Sequence, residues 1–357
     1  MSETAKVPQV SVLMPVYNGA LYLREAVDSI LNQTFIDFEF IIVDDGSTDE
    51  TSAILDGYTD PRIVRVTNQN NLGIIEALNR GLAVACGKYV ARMDADDISL
   101  PERLSQQVQF LEEHPEIGIL GTGIIEMDDS KVWRSCRPVY PAVVRWHLFF
   151  YTCISHPTMM VRRAIYEQLG GYGPTFTHAE DLDFLLRAAF EHKVANLPSH
   201  LLRYRRHPTA IGRTYHEPQV RNAILTTRQA LTRFLGEEVS FEVVASLNCH
   251  RRHQERMVSP EEALEATAFL LHLYRVYIGI VSPTKIEKRK IGYHVLMRLT
   301  ALRKKGATTG QLKDRVKLWR AWVSACLGIS RGLLSVAGIV RVGQILFKWY
   351  VYPGKKV

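Results

Sequence analysis

Residues 38–46 read FEFIIVDDG, and this stretch decides the fold. Its mostly apolar first part, Phe38–Val43, is typical of a buried strand, and two aspartates and a glycine end that strand. Ser47 and Glu50 follow with the spacing of a capping box, which predicts a helix towards Leu55. A buried strand that passes through a polar turn into a capped helix is one unit of an α/β fold.

The same unit recurs on both sides of this stretch. Further strands are predicted at Val10–Pro15, Ile63–Thr67 and Tyr89–Met93. Helices are predicted at 21–31 and 74–85, and another is predicted to begin around 99–102. Strands that alternate with helices predict a mixed, mainly parallel sheet with helices on both faces.

The pattern divides the chain into three regions. Residues 1–100 carry the α/β alternation, residues 101–215 are mixed α+β, and residues 216–357 form a helical C-terminal extension. We place the boundary of the helical extension near Tyr215.

Composition bounds the function. The chain has 357 residues and a formal net charge of +7, with no nucleic-acid-binding motif, so anionic lipid or phosphorylated substrates are the favoured partners. Five cysteines without close spacing fit a reducing compartment. The N-terminal residues have no signal-peptide pattern, and no uncharged apolar run approaches the ~20 residues that span a bilayer. We therefore expect a cytoplasmic protein.

Polar residues follow three of the predicted strands. These are Tyr17 and Asn18, the Asp44–Asp45 pair, and the segment 94–97. In open α/β sheets, ligands bind outside the carboxyl ends of the strands. The three polar clusters are therefore expected to line one crevice.

Asp94, Asp96 and Asp97 place three carboxylates within four residues. Hard cations such as Mg²⁺ and Mn²⁺ prefer oxygen ligands and bridge carboxylate to phosphate. The alternative is an acidic turn that caps the next helix. Glu180 and Asp181 also have two interpretations, since acids stabilise a helix N-terminus, whereas a carboxylate within reach of a hydroxyl acts as a general base. The spacing alone leaves both choices open.

These residues together resemble family 2 glycosyltransferases of the GT-A fold, over roughly residues 8–215. The resemblance rests on four segments in order: 12–18 (VLMPVYN), 42–49 (IVDDGSTD), 71–79 (NLGIIEALN) and 94–97 (DADD). It implies that residues 1–100 form the nucleotide-sugar-binding half and residues 101–215 the acceptor-binding and catalytic half. It also implies a nucleotide-sugar donor, with UDP favoured and GDP or dTDP open, and a carbohydrate or lipid-linked acceptor.

The resemblance assigns roles residue by residue. Donor-binding residues would be Pro15, Tyr17, Asp45, Asn71, Asn79 and Asp94. Asp94 and Asp96 match the DxD motif that holds a divalent metal, Mn²⁺ or Mg²⁺. Asp181 matches the catalytic base of members that invert the sugar's anomeric centre.

Further residues have a functional and a structural interpretation. Arg205 and His207 resemble a segment that closes over the donor, or form a basic surface loop. His156 and Glu180 are acceptor-side contacts, or structural side chains. A nucleotidyltransferase that makes nucleotide sugars and a non-catalytic sugar-nucleotide-binding protein are the competing functions. The first usually has a basic glycine-rich loop after its first strand, whereas this chain has Tyr17 to Ala20 without a lysine.

The C-terminal segment 315–357 has eight basic residues and no acid. On a helical wheel, Arg320, Arg331, Arg341 and Lys348 fall within an arc of about 100°, while Trp319, Trp322 and other apolar residues mostly occupy the rest. This pattern is typical of a helix in a membrane interface, and it also suits a helix that packs on the protein. We expect either peripheral membrane contact or packing.

Overall fold

Nine strands form one sheet in the part of the chain that the computed structural model describes, residues 7–128, 130–207, 216–248, 258–309 and 312–330. The order across the sheet is β3-β2-β1-β4-β8-β6-β9-β5, with β7 paired to β6. In chain order the strands are β1 (Val10–Val16), β2 (Phe38–Asp44), β3 (Ile63–Thr67), β4 (Tyr89–Arg92), β5 (Ile98–Ser99), β6 (Ile117–Met127), β7 (Val132–Ser135), β8 (Met160–Arg162) and β9 (Lys193–Arg205).

The helices connect and follow these strands. A short 3₁₀ turn, His156–Thr158, precedes β8. The first seven helices are α1 (Leu23–Leu31), α2 (Thr51–Asp56), α3 (Ile74–Val84), α4 (Arg103–Glu113), α5 (Pro141–Leu148), α6 (Arg163–Leu169) and α7 (Glu180–Ala188). The later ones are α8 (His216–Leu235), α9 (Phe241–Asn248), α10 (Pro260–Val281), α11 (Lys285–Thr309) and α12 (Leu312–Ser330).

Strands β1 to β4 pair in parallel, which confirms the predicted α/β core. In the register, Val16 lies opposite Asp44 and Asp44 lies opposite Thr67, so the carboxyl ends of β1, β2 and β3 are adjacent. Strand β8 then pairs antiparallel with β4 and with β6, which makes the sheet mixed.

Helix α3 packs unusually close to the sheet. A Cβ added to Gly81 would lie 2.1 Å from Leu13 Cδ1 and 3.0 Å from Val43 Cγ2, so a larger residue there would have to displace the Leu13 side chain. Leu78 and Ala77 on the same helix are buried. This close packing fixes α3 against β1 and β2, whose ends carry the polar clusters.

Two helices begin close to their predicted starts, but the side-chain caps predicted for them do not form. Helix α2 begins after Glu50 without a side-chain cap, because the Ser47 hydroxyl instead accepts a hydrogen bond from the Asn18 N–H. Helix α4 likewise begins after Glu102 without a side-chain cap, and Ser99 lies in β5. In the first case a long-range bond between two loops replaces the local cap.

Tertiary contacts divide the chain into residues 1–230 and 231–357. The predicted boundary near Tyr215 lies outside the described residues. In the second unit, α10 begins at a true capping box between Ser259 and Glu262. By length and composition, α10 is the one described helix that could cross a membrane, a test that core helices of soluble proteins also pass.

The structure describes only the first part of the amphipathic C-terminal segment, as far as residue 330. Leu318 and Trp322 on α12 are buried, and the Trp322 indole N–H donates to Thr300 Oγ1 at 3.3 Å. Trp319 remains 39% exposed. One side of α12 therefore packs within its own unit, while another side faces outward.

Candidate active site

The loops that follow β1 and β2 are bonded to each other. Asn18 adopts a φ of +49°, and its Oδ1 accepts a hydrogen bond from the Thr48 N–H at 2.8 Å. The Gly19 N–H donates to Thr51 Oγ1 at 2.9 Å. Beside this rigid pair of loops, Tyr17 is 47% exposed, while Pro15 is buried. The Tyr17 ring is thus open to a ligand at the carboxyl edge of the sheet.

Asp45 ties the end of β2 to the start of α3. Its carboxylate accepts hydrogen bonds from the Leu72 N–H at 3.0 Å, the Gly73 N–H at 2.8 Å and Asn68 Nδ2 at 2.6 Å. Gly46 must be glycine, because its φ is +73° and a Cβ would lie 2.5 Å from the Asn70 backbone. The predicted contact of Asp45 with a nucleobase stays a prediction, and the structure adds that this carboxylate shapes the loop.

The two asparagines of the third motif differ. Asn71 is exposed, and its Oδ1 accepts the Gly73 N–H within its own turn at 2.9 Å. Asn79 is partly buried, and its amide binds both the N–H and the carbonyl of Tyr172. Asn71 is therefore an exposed residue of its own turn, whereas Asn79 contacts a distant part of the chain.

Asp94, Asp96 and Asp97 bring one carboxylate oxygen each within 4.8 Å of the others, and we call them the acid triad. Asp94 forms an ion pair with Arg92. Asp97 is 1% exposed; its Oδ1 accepts the Arg205 N–H at 2.9 Å, and its Oδ2 is buried without a hydrogen-bond partner. The DxD resemblance gave no role to Asp97, whereas the run of three carboxylates in the sequence included it, and the fold places it in the triad.

Burial and mutual repulsion act on the acid triad. Burial raises the pKa of Asp97 well above its ordinary value, and the charges of Asp94 and Asp96 raise it further. Burial also raises the pKa of Asp94, against the opposing effect of Arg92. Close carboxylates resist joint ionisation unless a cation is near. Three hard oxygen donors, one of them buried and unpaired, therefore fit a divalent ion such as Mg²⁺ or Mn²⁺.

Arg205 and His207 hold the segment after β9 against the acid triad. Arg205 Nε donates to the Asp96 carbonyl at 3.0 Å, and its Nη2 donates to Glu25 at 2.6 Å. The Arg205 guanidinium also lies 4.4 Å from the centre of the Tyr22 ring. Tyr22 and Glu25 carry no motif, so sequence reasoning missed them.

Helix α7 begins with the two acids of the predicted catalytic segment. Glu180 is 8% exposed, its Oε2 is buried without a hydrogen-bond partner, and burial with the nearby Asp181 charge raises its pKa to about 7. Asp181 is partly exposed and accepts the Leu182 N–H at 2.7 Å. The charge of Asp181 also contributes to the raised pKa of Asp94.

His156 contacts the protein itself. Its Nε2 lies 2.8 Å from the Tyr172 hydroxyl, and the two rings meet edge-on with centroids 5.5 Å apart. Burial and the Arg92 charge hold the His156 pKa well below its ordinary value, so the ring is neutral at pH 7. This geometry favours the structural interpretation. The aromatic residue Trp146 is fully buried and belongs to the core.

Solved structures of similar shape define the class. The structure of Staphylococcus aureus TarS in complex with UDP-GlcNAc superposes with a TM-score of 0.53 at 19% identity, over 88% of this chain and 91% of that one. Mannosyltransferase PcManGT from Pyrobaculum calidifontis in complex with GDP-Man and Mn²⁺ gives 0.52 at 18% identity, over 90% and 87%. The fold is thus that of GT-A glycosyltransferases.

Sequence relatives narrow the class to a family. The model of "Glycosyl transferase family 2" matches residues 11–170. Putative glycosyltransferase EpsE of Bacillus subtilis is 33% identical over 273 residues, 72% of this chain and 97% of that protein. Amylovoran biosynthesis glycosyltransferase AmsE of Erwinia amylovora is 32% identical over 202 residues, 55% and 75%. The chain belongs to glycosyltransferase family 2, which confirms the resemblance seen in the sequence.

Proposed function

We propose that the protein transfers a sugar, with inversion, from a nucleotide-diphosphate sugar to a carbohydrate or lipid-linked acceptor in polysaccharide or glycoconjugate biosynthesis. The observation that carries this proposal is the acid triad directly after β4, whose carboxylate oxygens lie within 4.8 Å of one another, and the charge of Asp181 at the start of α7 acts on the same group by raising the pKa of Asp94. One group of acids suits a metal–diphosphate complex, and the other suits proton abstraction.

The donor would lie along the carboxyl edge of β1 and β2. The exposed Tyr17 ring offers a stacking surface for a base, while Asp45 and Asn71 shape the loop beside it. A UDP-sugar is the donor we favour. TarS in complex with UDP-GlcNAc and PcManGT in complex with GDP-Man show that related folds hold donors with either base.

Asp94, Asp96 and Asp97 would hold the divalent ion. When bound, a Mn²⁺ or Mg²⁺ ion neutralises the charge that develops on the leaving diphosphate. Two buried arginines act on the triad: Arg92 forms an ion pair with Asp94, and Arg103, whose Nη2 donates to the Arg92 carbonyl at 2.6 Å, interacts electrostatically with Asp97 and Asp94. These two cations limit the repulsion within the triad before an ion binds.

Asp181 would take the proton of the attacking acceptor hydroxyl. A hydroxyl is a weak nucleophile until a base removes its proton, and a carboxylate within hydrogen-bond reach performs this step. Attack from the face of the sugar opposite the diphosphate inverts the anomeric centre in one displacement. Glu180 is only 8% exposed and therefore less accessible to an acceptor hydroxyl, which makes it the weaker candidate for this base.

A lipid-linked acceptor would bring the protein to the cytoplasmic face of a membrane. Helix α11 carries an exposed row at positions i, i+4, i+7, i+11 and i+18, which share one helical face. We call it the α11 stripe: Ile286, Lys290, Tyr293, Met297 and Lys304. Exposed apolar side chains with lysines between them suit an anionic lipid surface.

A thermal-shift screen of nucleotide sugars with and without Mn²⁺ tests the donor, because a selective ligand stabilises the folded state by mass action. The chosen donor is then incubated with enzyme and Mn²⁺, and release of its nucleotide is measured. We expect stabilisation that needs Mn²⁺, followed by turnover. Binding without turnover would leave a non-catalytic sugar-nucleotide-binding protein, and formation of a nucleotide sugar from a sugar phosphate would reveal a nucleotidyltransferase.

A further inference from the structure

The loop 169–172 is held by Asn79 from the other half of the fold. Asn79 Nδ2 donates to the Tyr172 carbonyl at 3.0 Å, and Asn79 Oδ1 accepts the Tyr172 N–H at 2.9 Å. Gly171 has a φ of +73°, and a Cβ there would lie 2.5 Å from Asn79 Oδ1. A bond at both backbone groups of one residue fixes the loop in position and in orientation.

The same loop holds α7. Arg187 of that helix donates Nη1 to the Leu169 carbonyl at 3.0 Å and Nη2 to the Gly171 carbonyl at 2.9 Å. The rings of Tyr172 and Phe184 pack with centroids 5.2 Å apart. Because carbonyl bonds and ring packing act together, a shift of the loop would shift α7.

Helix α3 therefore spans two functional regions. Just before its first turn, the Gly73 N–H binds Asp45 beside the proposed donor crevice. Two turns later, Asn79 binds the loop that holds α7, and α7 begins with Glu180 and Asp181. We infer that Asn79 is a positioning residue, which sets the place of Asp181 relative to the donor instead of contacting the nucleotide. This inference rests on Asp181 being the base of the proposed function.

A donor contact and a positioning residue give different kinetics. Loss of a donor contact weakens nucleotide binding. A base displaced by about 1 Å costs on the order of 100-fold in rate while ground-state binding is kept. The split between the dissociation constant and kcat therefore separates the two roles.

The test uses Asn79→Asp in the full chain, which keeps the size of the side chain and replaces the amide donor by an acceptor. We expect a dissociation constant for UDP with Mn²⁺ within about twofold of wild type and a kcat lower by about 10- to 100-fold. Arg187→Lys removes the bonds from α7 to the Leu169 and Gly171 carbonyls. It should likewise lower kcat and leave the dissociation constant nearly unchanged. The control is Gln168→Ala, because Gln168 is exposed on α6 and its amide bonds to Glu191 and His192 at the surface.

Three outcomes overturn the inference. A raised dissociation constant with unchanged kcat would make Asn79 a donor contact. A lower melting temperature with normal kcat would make the network merely structural. Full additive loss when Asn79→Asp is combined with Asp181→Asn would show that Asn79 acts elsewhere, since residues that act as a unit are not additive. An Asp181→Asn variant with normal turnover would instead refute the proposed function, which separates the two failures.

Discussion

His207 Nε2 lies 2.9 Å from Asp96 Oδ2, so the segment that follows β9 is bonded to the middle of the acid triad. Asp96 nevertheless keeps 38% of its side-chain surface exposed, compared with 28% for Asp94 and 1% for Asp97 as a whole residue. Asp96 is therefore the most exposed carboxylate of the acid triad.

Asp96→Ala should abolish Mn²⁺-dependent donor binding while the protein stays folded, because a partly exposed carboxylate contributes little to the core. Calorimetry with UDP, with and without Mn²⁺, measures the effect. Glu113→Gln, an exposed acid on α4, is the control of equal charge change. Unchanged affinity and unchanged metal dependence in Asp96→Ala would remove Asp96 from the metal site.

The sequence predicted the parallel core well, because β1 to β4 are set by local apolar runs that end in polar turns. The boundaries of β3 match the prediction, and those of β1, β2 and β4 lie within one residue of it. Long-range bonds were beyond such reasoning. Ser47 was predicted as a helix cap and instead binds Asn18, and Asn79 binds Tyr172, 93 residues away. No local pattern encodes either pair.

In the metal-free protein, Glu180→Gln should be more stable to unfolding than the wild type, and this difference should grow as the pH rises. Burial raises the Glu180 pKa from 4.5 to about 7, so the folded state holds this proton more tightly than the unfolded state does. The wild type then loses stability between about pH 4.5 and pH 7, by at most about 3 kcal/mol at 1.36 kcal/mol per pKa unit. Glutamine imitates the protonated form and escapes this loss.

Urea unfolding in EDTA at pH 5 and pH 8 measures this difference. Glu180→Gln should exceed wild type clearly at pH 8 and little at pH 5. Glu167→Gln provides the control, because the Glu167 side chain is 58% exposed and its ion pair with Arg163 lies at the surface. A pH-independent difference for Glu180→Gln would mean that Glu180 is charged in the folded protein near neutral pH.

Lys290→Gln combined with Lys304→Gln should weaken binding to anionic vesicles by about 30-fold, because each lysine near such a surface contributes about 1 kcal/mol. The full chain is used, because a truncation before Arg315 would also remove the buried side chains of Leu318 and Trp322. Flotation with phosphatidylserine vesicles gives the bound fraction. The matched control is Lys131→Gln with Lys193→Gln, since both lysines are exposed in the first unit. An equal loss of vesicle binding in the control would show that the α11 stripe is not the membrane-binding surface.

Asp181→Asn tests the chemistry most directly. Asparagine keeps the size of the side chain and still accepts the Leu182 N–H, but it cannot take a proton. If Asp181 is the base, the variant should bind donor and Mn²⁺ almost normally, and transfer should fall by at least about 100- to 10,000-fold, the range that general-base catalysis supplies.

If Asp181 only stabilises the start of α7, asparagine should serve nearly as well, and turnover and stability should change little. Glu180→Gln is the neighbouring control and should be milder, because the buried Glu180 carboxylate is less accessible to the acceptor. Transfer and donor binding are measured side by side on each variant. Near-normal turnover by Asp181→Asn would show that another group is the base, and Glu180 would be the next residue to mutate.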